Sequence, residues 1–158
     1  MSGVSLPQRL SAALAEVATV VEEPDGALTV SHAGAVASLR VVTIAEGLEM
    51  VSLTQPLAWD LPLNAKLRTK VSEHAAHTVL GTVALIEKTP EKPSAKHAGT
   101  AANGDSETTA RRRTPSKKVA DVMLRYNFPG AGLSDDALRT LIMMVLAAGS
   151  DVRRALLA

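Results

Sequence analysis

The chain reads as an α+β domain in which an antiparallel sheet of about five strands carries an N-terminal, a middle and a long C-terminal helix. Three observations carry that expectation: apolar residues recur at helical spacing near both ends, strand-like segments joined by short turn signals fill the first half, and one long stretch lacks large apolar side chains. The expected order is α-β-β-β-(β)-α-β-β-α.

Ser5, with Gln8 three positions on, makes a capping-box pattern ahead of Leu6, Leu10, Ala13, Leu14 and Val17, so a first helix is expected from Leu6 to about Ala18. From Thr19 the texture changes to TVVEE, the turn Pro24-Asp25-Gly26, ALTVSH, a break at Gly34, and AVASLRVVTIA. These are strands joined by tight turns. LEMVSLTQPLAW follows Glu46-Gly47, with Leu48 and Met50 on one face and Glu49, Val51 and Leu53 on the other. Pro56 and Pro62 are expected to end that extended run.

Asn64 caps a middle helix with Leu67, Val71 and Ala75 on one face and Lys66, Arg68, Lys70 and Glu73 left for water. VLGTVALIEK and VADVMLRYNF are two further strands, and the stretch between them is an overgrown hairpin loop, a length that loop-closure entropy tolerates because its cost rises only logarithmically. The last helix is expected from Asp135 to about Leu156. Ser134 is its N-cap, Asp135 and Asp136 occupy the first turn, Leu133 is placed to staple against Leu138, and Arg153 and Arg154 sit near the end where cations are favoured. Leu138, Leu141, Ile142, Val145, Ala148, Val152 and Leu156 form its apolar face, with Gly149 a place for a bend or an early stop.

The stretch 88–118 mixes Pro, Gly, Ser, Thr, Ala and charge, a composition that buries too little apolar surface to offset the entropy of ordering it, so it is expected to be disordered. Eight cationic side chains against three carboxylates give it a net charge of +5. Because the whole chain is +1, the remainder is −4. Without these 31 residues, 127 of the 158 remain, enough for one core, so residues 1–158 read as a single domain interrupted by a basic insert.

No cysteine is present, which removes disulfides, thiolate metal sites and cysteine nucleophiles and fits a reducing compartment. The N-terminal residues lack a basic start followed by an apolar core, and the longest apolar run, Leu141 to Ala148, is too short to span a bilayer. A soluble cytoplasmic protein is the expectation.

The junction RYNFPGAGLSDDALRTLIMMVLAAGSDVRRAL, read with the order of elements, resembles the type III secretion chaperone-like family, especially its YbjN-type bacterial members. The similarity is most local in Leu133-Ser134-Asp135-Asp136-Ala137-Leu138, the entry into the last helix. Lys66 to Glu87 is also similar to the family's middle helix running into a strand with an early glycine, here Gly81. The resemblance implies an antiparallel sheet packed on helices, homodimerisation, and protein or peptide binding without catalysis or cofactor. The insert and the His74 to His77 stretch depart from the family pattern.

Candidate sites are few. His74 and His77, at i and i+3, can put two imidazoles on one metal, but only His32 is left outside the insert to join them and Glu73 points elsewhere on the helix, so ordinary helix-end histidines are favoured. No Gly-x-Ser-x-Gly elbow or comparable nucleophile arrangement occurs, and the chain is expected not to be an enzyme. Gly130-Ala131-Gly132 precedes a helix start, where an anion can bind, though without a P-loop lysine a loop-and-cap role is favoured. Asp135 and Asp136 are more simply helix-dipole partners than a paired acid site.

Partner binding is assigned to three side chains. Met143 and Met144 offer an adaptable thioether surface, with one of the two expected in the core. Trp59, between Leu57 and Leu61, is either an exposed interface anchor or buried over the sheet edge. In the insert, Arg111, Arg112 and Arg113 before Thr114 make a pattern that serine/threonine kinases accept and whose phosphate the arginines would pair. The same cluster can touch nucleic acid through phosphates, but no aromatic residues interleave it to stack on bases. A protein or peptide partner is therefore expected, with nucleic acid or an anionic surface as the alternative.

Overall fold

A computed structural model describes residues 3–89 and 118–158. Three helices and six strands follow in the order α1 (Leu6–Ala15), β1 (Thr19–Glu22), β2 (Leu28–His32), β3 (Ala35–Ala45), β4 (Leu48–Pro62), α2 (Ala65–His77), β5 (Thr82–Lys88), β6 (Val119–Pro129) and α3 (Asp135–Leu157). The α+β class and the order of elements are as expected, but the antiparallel sheet has six strands, in the order β1-β2-β3-β4-β6-β5. TVVE pairs with LTVSH as a strand of its own, Thr19 to Ser31 through Glu22 to Leu28.

Local chemistry accounts for the helix starts. Ser5 Oγ accepts from Gln8 N while Gln8 Oε1 accepts from Ser5 N at 3.0 Å, and Pro7 stands in the first turn, where its missing N–H costs nothing. Asn64 Oδ1 accepts from Leu67 N at 2.8 Å and Ser134 Oγ from Ala137 N at 3.0 Å. The first helix stops at Ala15, earlier than its apolar spacing suggests, and α3 runs unbroken through Gly149.

The helices pack on one face of the sheet. Leu10 and Leu14 of α1, Leu67 and Val71 of α2, and Leu138, Ile142, Val145 and Val152 of α3 meet the inward side chains Leu28, Val30, Leu39, Val51, Leu53, Val122, Leu124 and Phe128 in one apolar core. Ala75, expected on the buried face of α2, is exposed. Gly130 lies where the chain leaves β6, and its N–H donates to Glu49 O at 3.1 Å. A Cβ there would come within 2.7 Å of Val51 Cγ2, so a larger residue cannot pass without moving the core.

Two differences from the sequence expectations shape the site. The extended run does not end at Pro56: β4 continues to Pro62, paired with β6 from Met50↔Pro129 to Pro62↔Val119. On its other side, the ladder with β3 stops at Ser38↔Thr54, so Pro56 lies where β4 has a strand on one side only, the setting in which a missing N–H is tolerated. Lys88, which the sequence places both at the end of the strand VLGTVALIEK and at the start of the insert, belongs to the strand: it is the last residue of β5 and pairs with Val119, while Lys118 O accepts from Leu63 N.

Candidate functional site

The sheet opens into a wedge between β3 and β4. Ala35 is paired with His32 of β2, and the β2–β3 ladder runs on without interruption, whereas β4 beyond Thr54 has left β3 and follows β6 alone. A cavity of about 770 Å³ occupies the gap. Ala35 and Val36 border it on one side, Gln55 to Trp59 and Leu61 on the other, and Ser150, Arg153, Arg154 and Leu157 of α3 close it from the helix layer. That volume lies within the range of small-molecule pockets, and the lining mixes apolar side chains with Gln55, Ser150 and two arginines.

Its polar groups are distinctive. Arg153 and Arg154 contribute two guanidinium groups, and among the described residues no carboxylate lines the cavity. Arg154 is paired with Asp151, whereas Arg153 makes no ion pair among the described residues. Gln55, only 2% exposed, also lines the cavity; its Nε2 donates to Leu146 O at 3.4 Å and its Oε1 has no partner among the described residues. A buried amide with half its capacity unused costs stability, which an apolar residue at this position would avoid.

Trp59 stands at the rim, 57% exposed, and is not buried over the sheet edge. The strand bulges there, with register shifts on both sides of Ala58, and Asp60 adopts φ 55°, the left-handed region that non-glycine residues rarely enter. Asp121 of β6 holds this bulge: its Oδ1 accepts from Asp60 N at 2.9 Å. Lys88 Nζ reaches Asp60 Oδ1 at 2.7 Å and Asp121 Oδ1 at 3.0 Å, and lies 5.9 Å from the centre of the Trp59 ring, within cation–π range. Burial works to raise the Asp121 carboxyl, but the Asp60 N–H and the Lys88 ammonium outweigh it and hold the group below the ordinary aspartate range. Hydrogen bonds to Asp60 and then Asp121 hold the Lys88 ammonium above the usual lysine range. The result is a braced bulge that presents the indole beside the cavity.

The other candidates that the sequence suggests fall elsewhere, and the methionines do not join Trp59. Met143 is half-buried against the core, and Met144 is 53% exposed on a separate apolar groove between the end of α2 and α3, bordered by His74, His77, Val79 and Leu141. His77 Nδ1 lies 2.8 Å from Glu73 O, and no group of three metal-ligating side chains gathers among the described residues. Asp135 is paired with Arg9 and Asp136 with Arg139, so neither forms a paired acid site. The loop Gly130 to Leu133 is occupied by Arg9, which donates to Ala131 O and Leu133 O. Arg111, Arg112, Arg113 and Thr114 lie outside the described residues.

Gln55, Arg153 and the Asp60, Lys88 and Asp121 cluster are not among the site residues read from the sequence. One signal was present for Gln55: it continues the inward phase of Val51, Leu53 and Leu57, where a polar residue is out of place. No helix among the described residues is long and apolar enough to cross a membrane. Comparison with known protein families and with curated proteins finds no match.

Proposed function

We propose that this chain is a non-enzymatic binding module that holds an extended protein or peptide segment in the wedge between β3 and β4, in the manner implied by its resemblance to the type III secretion chaperone-like family. The observation that carries the reading is the free flank of β4 beyond Thr54, bordered by a cavity and by the exposed Trp59. An indole at the rim adds a rigid anchor. Cytoplasmic location and homodimerisation belong to the same proposal.

The test is a pull-down from native cytoplasm with the wild-type chain, a Trp59→Ser variant and a chain lacking residues 90–117, washed at low and high salt. The expected result is a discrete protein kept at high salt by the wild type and by the shortened chain and lost with Trp59→Ser. Recovery of nucleic acid alone, released by salt or by removal of residues 90–117, would overturn it in favour of a basic accessory protein. Sedimentation of the purified chain tests the dimer.

A further inference from the structure

We infer that the open face of the sheet is a self-association surface: a second copy of this chain packs its sheet on the first, β6 over β6, about a two-fold axis at Met123. The inference rests on the homodimer proposed above and names its interface.

Alternation along the strands leaves one face without cover. The helices all pack on the side of Val51, Val83 and Val122, and among the described residues no helix lies on the other side. Exposed apolar side chains collect there. On β3, Val36, Val42 and Ile44 are 46%, 43% and 60% exposed, while Ala37 and Val41 between them meet the core. Met50, Met123 and Ile86 of the neighbouring strands are half-buried and take no part in that core. Apolar surface gathered in this way marks an interface. With strands about 4.8 Å apart and about 3.3 Å per residue, the six-stranded face has a plan area on the order of 800 Å², which matches the roughly 800 Å² per partner of a stable interface.

Charge selects a second copy as the occupant. Asp121, Met123 and Arg125 are alternate residues of β6 and share the open face. Arg125 is exposed between its cross-strand neighbours Thr54 and Thr82 and makes no ion pair among the described residues. On the other side of Met123, the carboxylates of Asp60 and Asp121 share the single ammonium of Lys88, so that cluster keeps one negative charge in excess. The cation and the anionic cluster thus lie at equal distances on either side of Met123. That is the pattern a two-fold axis satisfies, because each copy then gives and receives the same contact.

The same charges fix the direction of the axis. Sheets packed face to face lie about 10 Å apart and within about 30° of alignment. With the axis across the strands at Met123, each Arg125 meets the Asp60 and Asp121 cluster of the other copy. A crossing of about 30° displaces groups two residues from the axis sideways by only about 3 Å, which an arginine side chain spans. An axis along β6 would instead bring each Arg125 onto its own copy, a like-charge contact. The row on the axis is uncharged: Met123 is paired with Pro56 on one side and Ala84 on the other, and its thioether adapts to a facing copy.

The experiment is sedimentation velocity on the purified full chain. A residue on a two-fold axis meets itself. Met123→Lys and Met123→Glu are therefore each expected to sediment as monomers at a concentration where the wild type is dimeric, and an equimolar mixture of the two to return to the dimer mass. Arg125→Glu, an exposed position, is expected to weaken the dimer about tenfold or more. Far-UV circular dichroism matching the wild type shows that each variant is folded. A monomeric wild type would overturn this interface and the dimer reading together. A dimer that persists in both Met123 variants would overturn the sheet-face interface alone and place dimerisation on another surface. A mixture of folded variants that stays monomeric would overturn the axis at Met123, and unchanged association in Arg125→Glu would overturn the charge pairing that orients it.

Discussion

Gly149 of α3 lies directly over Gln55 of β4: a Cβ at position 149 would come 2.5 Å from Gln55 Cδ and 2.7 Å from Nε2, with Oε1 nearer still. The glycine is thus a close approach of helix to sheet at the root of the wedge. Gly149→Ala improves helix propensity by about 1 kcal/mol, but the buried amide has to be displaced to make room. The expected outcome is a net loss of about 1–2 kcal/mol by chemical denaturation. In a Gln55→Ala background the same substitution meets no amide, and the expected change is neutral or stabilising, which a double-mutant cycle reads directly.

Gln55→Met removes an acceptor that has no partner among the described residues and keeps an unbranched side chain beside Gly149. An increase in stability of about 1 kcal/mol is expected, with weaker peptide binding if the amide serves the wedge. Denaturation midpoints and Trp59 fluorescence titrations on the same samples measure the two effects separately. A loss of stability would show that the Nε2 bond to Leu146 O outweighs the unpaired oxygen.

Arg9 fastens α1 to the loop before α3, with Nε donating to Asp135 Oδ1 at 2.8 Å and the two terminal nitrogens to Ala131 O and Leu133 O. Arg9→Ala is expected to cost about 1–3 kcal/mol, and Arg9→Lys to recover little of it, because an ammonium cannot span three acceptors with a planar fork. Asp135→Asn, which leaves both carbonyl contacts in place, is expected to cost less than half as much. Thermal or urea unfolding of the three variants orders them.

Asp121 makes the bulge acid-sensitive. Its folded carboxyl is held below the ordinary value of 3.8, so its contribution to stability is present above that value and is lost as the pH falls through the folded value. Asp121→Asn is expected to be less stable than the wild type near neutral pH, with the difference shrinking under acid. At the alkaline end, Lys88 is held above 10.5, so its contribution persists below that value and is lost as the pH rises through the folded one. Urea midpoints across the pH range give both limbs, and the Trp59 emission reports whether the rim moves with them.

The helix starts were legible because each depends on a few neighbouring residues. The Ser5–Gln8 box, the Asn64 cap and the Ser134 cap bond within three positions of themselves, and the apolar face of α3 follows from spacing alone. The strand pattern was legible for the same reason, alternation being local: TVVEE and the VLGTVALIEK run that ends at Lys88 both read as strands, and both pair in the sheet.

The site was not legible, because it is made of relations between strands rather than within them. Whether Pro56 ends a strand depends on whether a neighbour demands its N–H, and that is settled by where the β3 ladder stops. Gln55 meets Leu146 across 91 positions and Asp60 meets Asp121 across 61. The elements, their order and the caps that start them follow from short-range spacing and backbone chemistry, which the residues carry without their distant neighbours. Tertiary structure alone decided the parting of β3 from β4 and the packing of Gly149 on Gln55. It also decided the arginine-lined cavity between them, because register and helix docking depend on how the whole core fills.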